Sequence, residues 1–210
     1  MVVITGSYLS NLAYCEYKAV LSQEYPTRSV KPQSRRVLEK VVGSMKGVDA
    51  RLEVVYGNVD GVDLAIFPGA VLYRQGRVYG ILRASIRSYP RIYESDFTPI
   101  KVSALLLDMQ GKVGEILKLA VVASINERLL EEALANTILS GLKPGMGEGW
   151  AVSTRIYSRE EAERILSRAV KVARSVSLAK PSPSQAKCGA CEYARYCEYS
   201  MVAGRDRLSA

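Results

Sequence analysis

The cysteines impose the strongest constraint on how this chain of 210 residues can fold. Three of the four lie in the segment CGACEYARYC as a C-x2-C-x5-C cluster, namely Cys188, Cys191 and Cys197, whereas Cys15 lies far upstream. Three clustered thiols and one remote thiol indicate a single site with four cysteine ligands. Such a site fastens the first helix to the C-terminal segment and closes the chain into a ring, which stabilises the fold.

The occupant of this cysteine site has three interpretations. One remote cysteine plus C-x2-C-x5-C favours an iron-sulfur cluster, because all-cysteine zinc sites typically use two C-x2-C pairs. Zinc remains the alternative. Disulfides or buried free thiols are the third interpretation, but the N-terminal residues carry no export signal that would indicate an oxidising compartment. We therefore expect a 4Fe-4S cluster, with Zn²⁺ as the alternative cofactor.

The charge balance permits an anionic partner. Lys and Arg number 29 against 21 Asp and Glu, which gives a net charge of +8 and a pI near 9.3. This surplus is compatible with nucleic acid but not diagnostic of it. The basic residues are mostly interspersed with other residue types, so any binding face has to be assembled by folding.

The sequence lacks histidine and long apolar segments, and both facts restrict the possible functions. The chain contains no histidine, which excludes histidine-based general base catalysis, catalytic triads and histidine-containing metal sites. No window approaches 18 uninterrupted apolar residues, and no basic segment with an apolar stretch behind it opens the sequence. We expect no membrane association and a cytoplasmic location.

Hydrophobic periodicity predicts one α/β domain. It divides into N-terminal helices with Cys15 over 1–50, an α/β core over 51–179 and a cysteine segment over 180–210. Helices are predicted over 9–25, 32–46, 100–107, 127–139 and, after a cap at Ser158, 159–176. About three strands are predicted between 51 and 86, the last two as a hairpin, with further strands over 117–122 and 150–157. The segments 89–99 and 141–149 are predicted to be connections.

Taken together, these features resemble one nuclease family along nearly the whole chain. The shared features are the first helix with Cys15, a second helix, the G-x-x-D segment Gly57-Asn58-Val59-Asp60, a hairpin, a helix near 102–107 and the C-terminal CGACEYARYC. They resemble the RecB-like nucleases of the PD-(D/E)XK fold that carry a 4Fe-4S cluster, in particular the CRISPR-associated exonuclease family found beside spacer-acquisition proteins. The resemblance implies a restriction-endonuclease-like core with a mixed sheet flanked by helices, and a cysteine-ligated knuckle that joins the N-terminal helix to the C-terminus.

The active-site motif of that family is degenerate here. Asp60 matches the metal-binding Asp, with Asp63 as a possible substitute, but the E-x-K element aligns either with Leu72-Tyr73-Arg74 or with Ile81-Leu82-Arg83. Both alignments replace the carboxylate with an aliphatic residue and the Lys with an Arg, which is a poor proton shuttle. A divalent cation held by Asp60 alone binds weakly, because affinity depends on the number of anionic oxygens.

The resemblance therefore implies an iron-sulfur DNA-binding protein without catalysis, accessory to DNA processing such as CRISPR spacer acquisition and antiviral defence. The first alternative is an active exonuclease on single-stranded DNA, dependent on Mg²⁺ or Mn²⁺, with a migrated carboxylate from Glu53, Asp63, Glu94 or Asp96. The second alternative is a zinc-stapled scaffold that binds protein. The composition is also compatible with a thermophilic, archaeal source.

Basic and aromatic residues between positions 73 and 91 form the predicted DNA surface. Phosphate contacts are expected from Arg74, Arg77, Arg83, Arg87 and Arg91, and base stacking from Tyr73 and Tyr79. A solvated strand face and ordinary packing are the alternative interpretations of these two groups. The expected partners are DNA that is single-stranded or has single-stranded ends, and integrase-type proteins of CRISPR systems.

Overall fold

The computed structural model describes residues 3–25 and 33–202. The helices in this part of the chain are α1 (Gly6–Tyr14), α2 (Glu16–Glu24), α3 (Gln33–Ser44), α4 (Glu94–Met109), α5 (Glu127–Leu139), α6 (Arg159–Arg174) and α7 (Gln185–Gly189), with short 3-10 turns at Val176–Leu178 and Ala194–Tyr196. The strands are β1 (Val3–Thr5), β2 (Asp49–Arg51), β3 (Val55–Val59), β4 (Val62–Ile66), β5 (Ala70–Arg74), β6 (Arg77–Ile86), β7 (Val113–Ser124), β8 (Gly145–Gly147) and β9 (Trp150–Ile156).

The strands form one large and one small sheet. The large sheet has the order β2-β5-β6-β7-β9-β8, and it is mixed because β6 and β7 run parallel while its other neighbours are antiparallel. The small sheet has the order β1-β4-β3. Helices α3 and α5 pack on one face of the large sheet, and α4 packs on the other face together with α1 and α6. The predicted α/β class, with a mixed sheet flanked by helices, is confirmed at this level.

Strand β7 contains an apolar segment that hydrophobic periodicity alone could not assign to a helix or to a strand. Leu119 and Val121 belong to the core on the α4 side, whereas Ala120 and Val122 belong to the core on the α5 side. Because both faces of this strand are covered, no polar residues alternate with the apolar ones. The strand spans twelve residues and is longer than the predicted 117–122.

The predicted first helix, 9–25, is divided in two at Cys15. This residue is extended, with φ −163° and ψ 123°, and it serves as the C-cap of α1 and the N-cap of α2. Its N–H donates to the Asn11 carbonyl at 2.8 Å, and its carbonyl accepts from the Lys18 N–H at 2.9 Å. The expectation that Cys15 lies within a continuous helix is therefore wrong, and the break places Cys15 at a junction.

Helix α4 begins earlier than expected. The Asp96 carboxylate accepts a hydrogen bond from the Tyr93 N–H at 2.8 Å, which caps the helix upstream of Pro99. Residues 94–99, predicted to belong to a connection, therefore form its first turns. Every residue from Phe97 to Leu107 is buried, as expected for a helix enclosed on all sides.

The remaining predictions are confirmed or extended. Helix α5 has the predicted bounds, and Ser158 caps α6 by accepting from the Glu161 N–H at 3.3 Å. The region 51–86 contains two hairpins, β3-β4 and β5-β6, and the predicted loop 141–149 contains β8. In the described segments, no helix combines the length and apolarity that crossing a membrane requires.

Candidate cysteine centre and arginine surface

All four cysteines line one pocket. Cys15 enters it from the α1–α2 junction, Cys188 from α7, Cys191 from the turn after α7, and Cys197 from the residue that follows the last 3-10 turn. Each thiol is free of disulfide bonds. The fold therefore brings together the early and the late thiols that the sequence assigns to one site.

Local turns place the three late cysteines. The Ser184 hydroxyl caps α7 by accepting from the Lys187 N–H at 3.1 Å. The Cys191 N–H then donates to the Cys188 carbonyl at 3.2 Å, and the Ala194 N–H donates to the Cys191 carbonyl at 3.1 Å. A continuous helix would place Cys188 and Cys191, three residues apart, on one face but would turn Cys197 to the opposite side from Cys188. The successive short turns bring Cys197 to the same pocket.

Lys187 and Tyr14 form part of the pocket wall, and the sequence interpretation did not include them. The Lys187 ammonium donates to the Tyr14 carbonyl at 2.9 Å, and the Tyr14 hydroxyl donates to the Lys187 carbonyl at 3.0 Å. The Ser182 N–H donates to Cys15 Sγ at 3.5 Å. These contacts attach the late segment to α1 without using a thiol–thiol bond.

A second set of contacts joins the same two segments through charged and aromatic groups. Arg168 donates to both Glu16 carboxylate oxygens, at 2.7 and 2.5 Å, and the Lys180 N–H donates to the same carboxylate at 2.6 Å. The Tyr17 hydroxyl donates to Glu198 at 2.8 Å, and its ring packs edge-on against Tyr199 with centroids 4.8 Å apart. The identical tetrapeptides YCEY at 14–17 and 196–199 thus contact each other.

The thiols have unequal environments. Burial acts to raise the pKa of Cys15, but hydrogen bonds from Ser182 and from the first amides of α2 outweigh it, so its pKa is lowered. Burial raises the pKa of Cys191 and of Cys197, and negative charge on neighbouring cysteines adds to both increases. Cys15 is therefore the easier of these thiols to ionise.

The donor set restricts what the pocket can hold. Four cysteine thiolates are the usual ligands of a 4Fe-4S cluster and also of structural zinc. A tetrahedral zinc ion with bonds of about 2.3 Å requires its sulfurs to lie about 3.8 Å apart. Over residues 3–25 and 33–202, no three or more Cys, Asp or Glu side chains are grouped so that they could hold one metal ion.

Asp60 lies in the turn between β3 and β4. Its φ of 51° and that of Gly61, 78°, are those of a tight hairpin turn, and the Asp60 side chain is exposed. Both alignments of the missing E-x-K element fall on β5 and β6, in the other sheet. No acidic metal group surrounds Asp60 within the described part of the chain.

The four carboxylates proposed as migrated ligands already have partners. Asp63 accepts from the Asn58 amide at 2.7 Å, and Glu53 accepts from the Tyr73 hydroxyl. Glu94 pairs with Lys101 and Arg155, whereas Asp96 forms a two-bond ion pair with Arg87, at 2.8 and 3.1 Å. The structure does not bring these four residues together with Asp60.

The predicted DNA-contacting arginines are spread over a long distance. Arg74 and Arg77 are exposed beside the β5–β6 turn, and Arg87 follows the far end of β6, roughly 33 Å away at 3.3 Å per residue. Arg77 donates to the Gly111 carbonyl at 2.8 Å, and Arg91 is exposed beyond the strand. Arg83, nearer the end of β6, is only partly exposed.

The predicted stacking tyrosines are largely covered. Tyr73 is 9% exposed, and the Arg51 guanidinium lies 4.3 Å from its ring centroid. Tyr79 is half-buried beneath Arg74, which lies 4.8 Å from its ring centroid. Tyr89, by contrast, is 80% exposed and better placed to stack on a base.

Comparisons with known proteins give little functional information. No protein-family model matches the chain, and no curated protein matches it. A solved structure described as "Crystal structure of SSO0001" is similar with a TM-score of 0.45 and 14% sequence identity, over 95% of this chain and 87% of that one.

Proposed function

We propose that the chain is an iron-sulfur DNA-binding protein with a RecB-like nuclease fold and no nuclease activity, accessory to DNA processing such as CRISPR spacer acquisition. The observation that carries the proposal is the convergence of Cys15, Cys188, Cys191 and Cys197 on one pocket. These four residues would hold a 4Fe-4S cluster. When bound, the cluster supplies a crosslink between the early and the late segments.

The proposed absence of nuclease activity follows from the positions and partners of the acidic residues. Metal-dependent phosphodiester cleavage needs carboxylates that hold a divalent cation next to the reacting phosphate. Asp60 lies in an exposed turn, and the candidates Asp63 and Asp96 for a second ligand are engaged with other side chains. A cation at Asp60 alone would exchange readily with solvent.

The affinity for DNA is assigned to exposed basic residues. Arg74, Arg77 and Arg91 are exposed, and the net charge of +8 attracts a polyanion. The exposed Tyr89 ring lies two residues from Arg91, so stacking and phosphate contact can occur on neighbouring nucleotides. Integrase-type proteins of CRISPR systems are the partners that this function implies.

The first test is the metal content of anaerobically purified protein. We expect a broad absorbance near roughly 400 nm and about four irons per chain. One zinc per chain in a colourless protein would favour the zinc-stapled scaffold instead. Protein without any bound metal, after growth with sufficient iron, would contradict the proposal.

The second test separates DNA binding from DNA cleavage. We expect the cluster-loaded protein to bind single-stranded oligonucleotides with an affinity that falls as salt increases, with a logarithmic slope of about −2 to −3 for three or four phosphate contacts. Asp60→Ala should leave this affinity unchanged, and the oligonucleotide should stay intact with Mg²⁺ or Mn²⁺. Metal-dependent degradation that disappears in Asp60→Ala would establish the active exonuclease. Affinity that does not depend on salt would favour a protein-binding scaffold.

A further inference from the structure

A second pocket lies where the chain crosses from the small sheet to the large one. It has a cavity volume of about 160 Å³ and is lined by the crossing segment Phe67-Pro68-Gly69, by Arg83 and Ala84 of β6, and by Ser34, Arg35 and Leu38 of α3. Apart from Phe67 and the aliphatic groups, the side chains that line it are donors. No carboxylate is among its lining residues.

Arg83 brings a positive charge to this pocket without a counter-charge. No hydrogen bond or ion pair joins its guanidinium to another described residue. Asp96 is the carboxylate that acts on it electrostatically, but Asp96 already forms two hydrogen bonds with Arg87. Burial lowers the pKa of Arg83, an indication that its charge is poorly solvated.

Two other cations in the described part of the chain are neutralised by carboxylates. Lys101 is 2% exposed and pairs with Glu94 and Glu161. Arg168 pairs with Glu16. A poorly solvated cation that lacks such a partner is costly, and an anion that enters the pocket recovers the cost. Arg83 therefore differs from these cations by facing a pocket rather than a carboxylate.

Arg35 adds a second guanidinium with donors to spare. Its Nε–H donates to Glu39 at 3.2 Å, and the group lies 4.2 Å from the ring centroid of Phe67, which fixes its plane. A guanidinium has five N–H donors, so the contact with Glu39 leaves several available. Two guanidinium groups and the Ser34 hydroxyl around one pocket match the acceptor-rich, anionic surface of a phosphate group.

We propose that this pocket binds one phosphate group of a nucleic-acid strand, with Arg83 as the main ligand and Arg35 as the second. The proposal rests on the DNA-binding function proposed above and adds a defined anchoring point to it. The phosphate is either the terminal group of a strand or an internal phosphodiester, since both present anionic non-bridging oxygens that can accept from a guanidinium. This anchor is separate from the exposed Arg74 and Arg77.

Inorganic phosphate is the first probe. At about ten times its dissociation constant it should raise the Tm of the wild-type protein by roughly 3–6 °C relative to chloride at equal ionic strength. Arg83→Gln should remove this increase, and the variant should unfold at a higher temperature than wild type in phosphate-free buffer, because it lacks the unpaired charge. Arg128→Gln is the matched control, since Arg128 is exposed on α5 and its loss changes the net charge equally.

Single-stranded oligonucleotides with a 5′-phosphate and with a 5′-hydroxyl are the second probe. We expect Arg83→Gln to weaken binding about 10- to 100-fold, as for the loss of one charged hydrogen-bonding group, and Arg128→Gln to have little effect. A loss confined to the phosphorylated strand identifies a terminal phosphate, and an equal loss on both strands identifies an internal one. If Arg83→Gln does not fold, Arg35→Gln provides the same comparison with a smaller effect.

The outcomes distinguish this proposal from the proposed function. Equal stabilisation of wild type and Arg83→Gln by phosphate, or none of either, overturns the phosphate pocket, even if DNA still binds. Stabilisation by phosphate that depends on Arg83, in a protein that binds no DNA, overturns the DNA-binding function and retains the pocket. An adventitious anion would bind without preference for phosphate over sulfate and without the oligonucleotide effect, and this result would also overturn the proposal.

Discussion

Cys191→Ser is expected to reduce the iron content from about four per chain to nearly none, together with the absorbance near roughly 400 nm. Cys191 lines the pocket between the positions of Cys188 and Cys197, and a serine oxygen is a poor replacement for its thiolate. Loss of the crosslink also releases a loop of most of the chain. The chain-entropy relation puts the resulting decrease in the free energy of unfolding at up to about 5 kcal/mol.

Tyr17→Phe is the matched control for this substitution. It removes the 2.8 Å hydrogen bond to Glu198 at the same boundary between segments but leaves all four thiols. We expect unchanged iron content and a loss of roughly 1 kcal/mol in the free energy of unfolding, measured by urea denaturation under anaerobic conditions. Cys191→Ser protein that retains its full iron content and colour would contradict the assignment of this residue as a ligand.

The cysteine variant should nevertheless retain its secondary structure. The paired contacts of Tyr14 with Lys187, and the ion pair of Glu16 with Arg168, do not involve a thiol. The two large cores lie beside the sheets and contain none of the cysteines. Far-ultraviolet circular dichroism of Cys191→Ser should therefore remain close to that of wild type, while resistance to urea falls.

Gly69→Ala is expected to have the largest effect on stability of any single methyl addition described here. The residue has φ of 120°, and a Cβ at this position would lie 2.2 Å from the Leu82 carbonyl oxygen. This oxygen belongs to the backbone of β6 and cannot rotate away, so β5 and β6 have to separate at their pairing of Ala70 with Leu82. We expect a decrease of more than about 4 kcal/mol in the free energy of unfolding.

Gly43→Ala provides the comparison for this substitution. Gly43 lies within α3, and no atom stands within 4 Å of the Cβ that would be added there. Alanine should stabilise this helix by about 0.5–1 kcal/mol, so the two variants change stability in opposite directions. Urea midpoints of the two proteins measure the difference. Gly69→Ala within 1 kcal/mol of wild type would mean that the β4–β5 crossing does not lie this close to β6.

Local signals predicted the elements whose partners are near in sequence. The sequence of helix α5 has an apolar stripe on one side. Ser158 and the acidic residues that follow it indicate the cap of α6. Each of these signals involves residues three or four positions apart, so it can be recognised without knowledge of the tertiary structure. The α/β class followed from the alternation of such helices with β-branched runs.

The errors concern features that depend on distant packing. The prediction of β7 is correct in type but covers only 117–122, because coverage of both faces removes the polar alternation by which a strand is recognised. The break at Cys15 contains neither glycine nor proline, so no local residue type announces it. The isolation of Arg83 depends on Asp96, in another element, being occupied by Arg87. A sequence pattern does not show which carboxylate is already paired with another cation in the folded protein.

The position of Cys15 has a consequence for biosynthesis. Its pocket is completed only by Cys197, so the thiol formed among the first residues has to wait until almost the whole described chain has left the ribosome. At synthesis rates of about 5–20 residues per second, this delay lasts on the order of 10–40 s. During that time Cys15, the thiol that the finished fold makes easier to ionise, is open to oxidation and to capture by other metals. The cluster proposed above would therefore be assembled only after Cys197 has been translated.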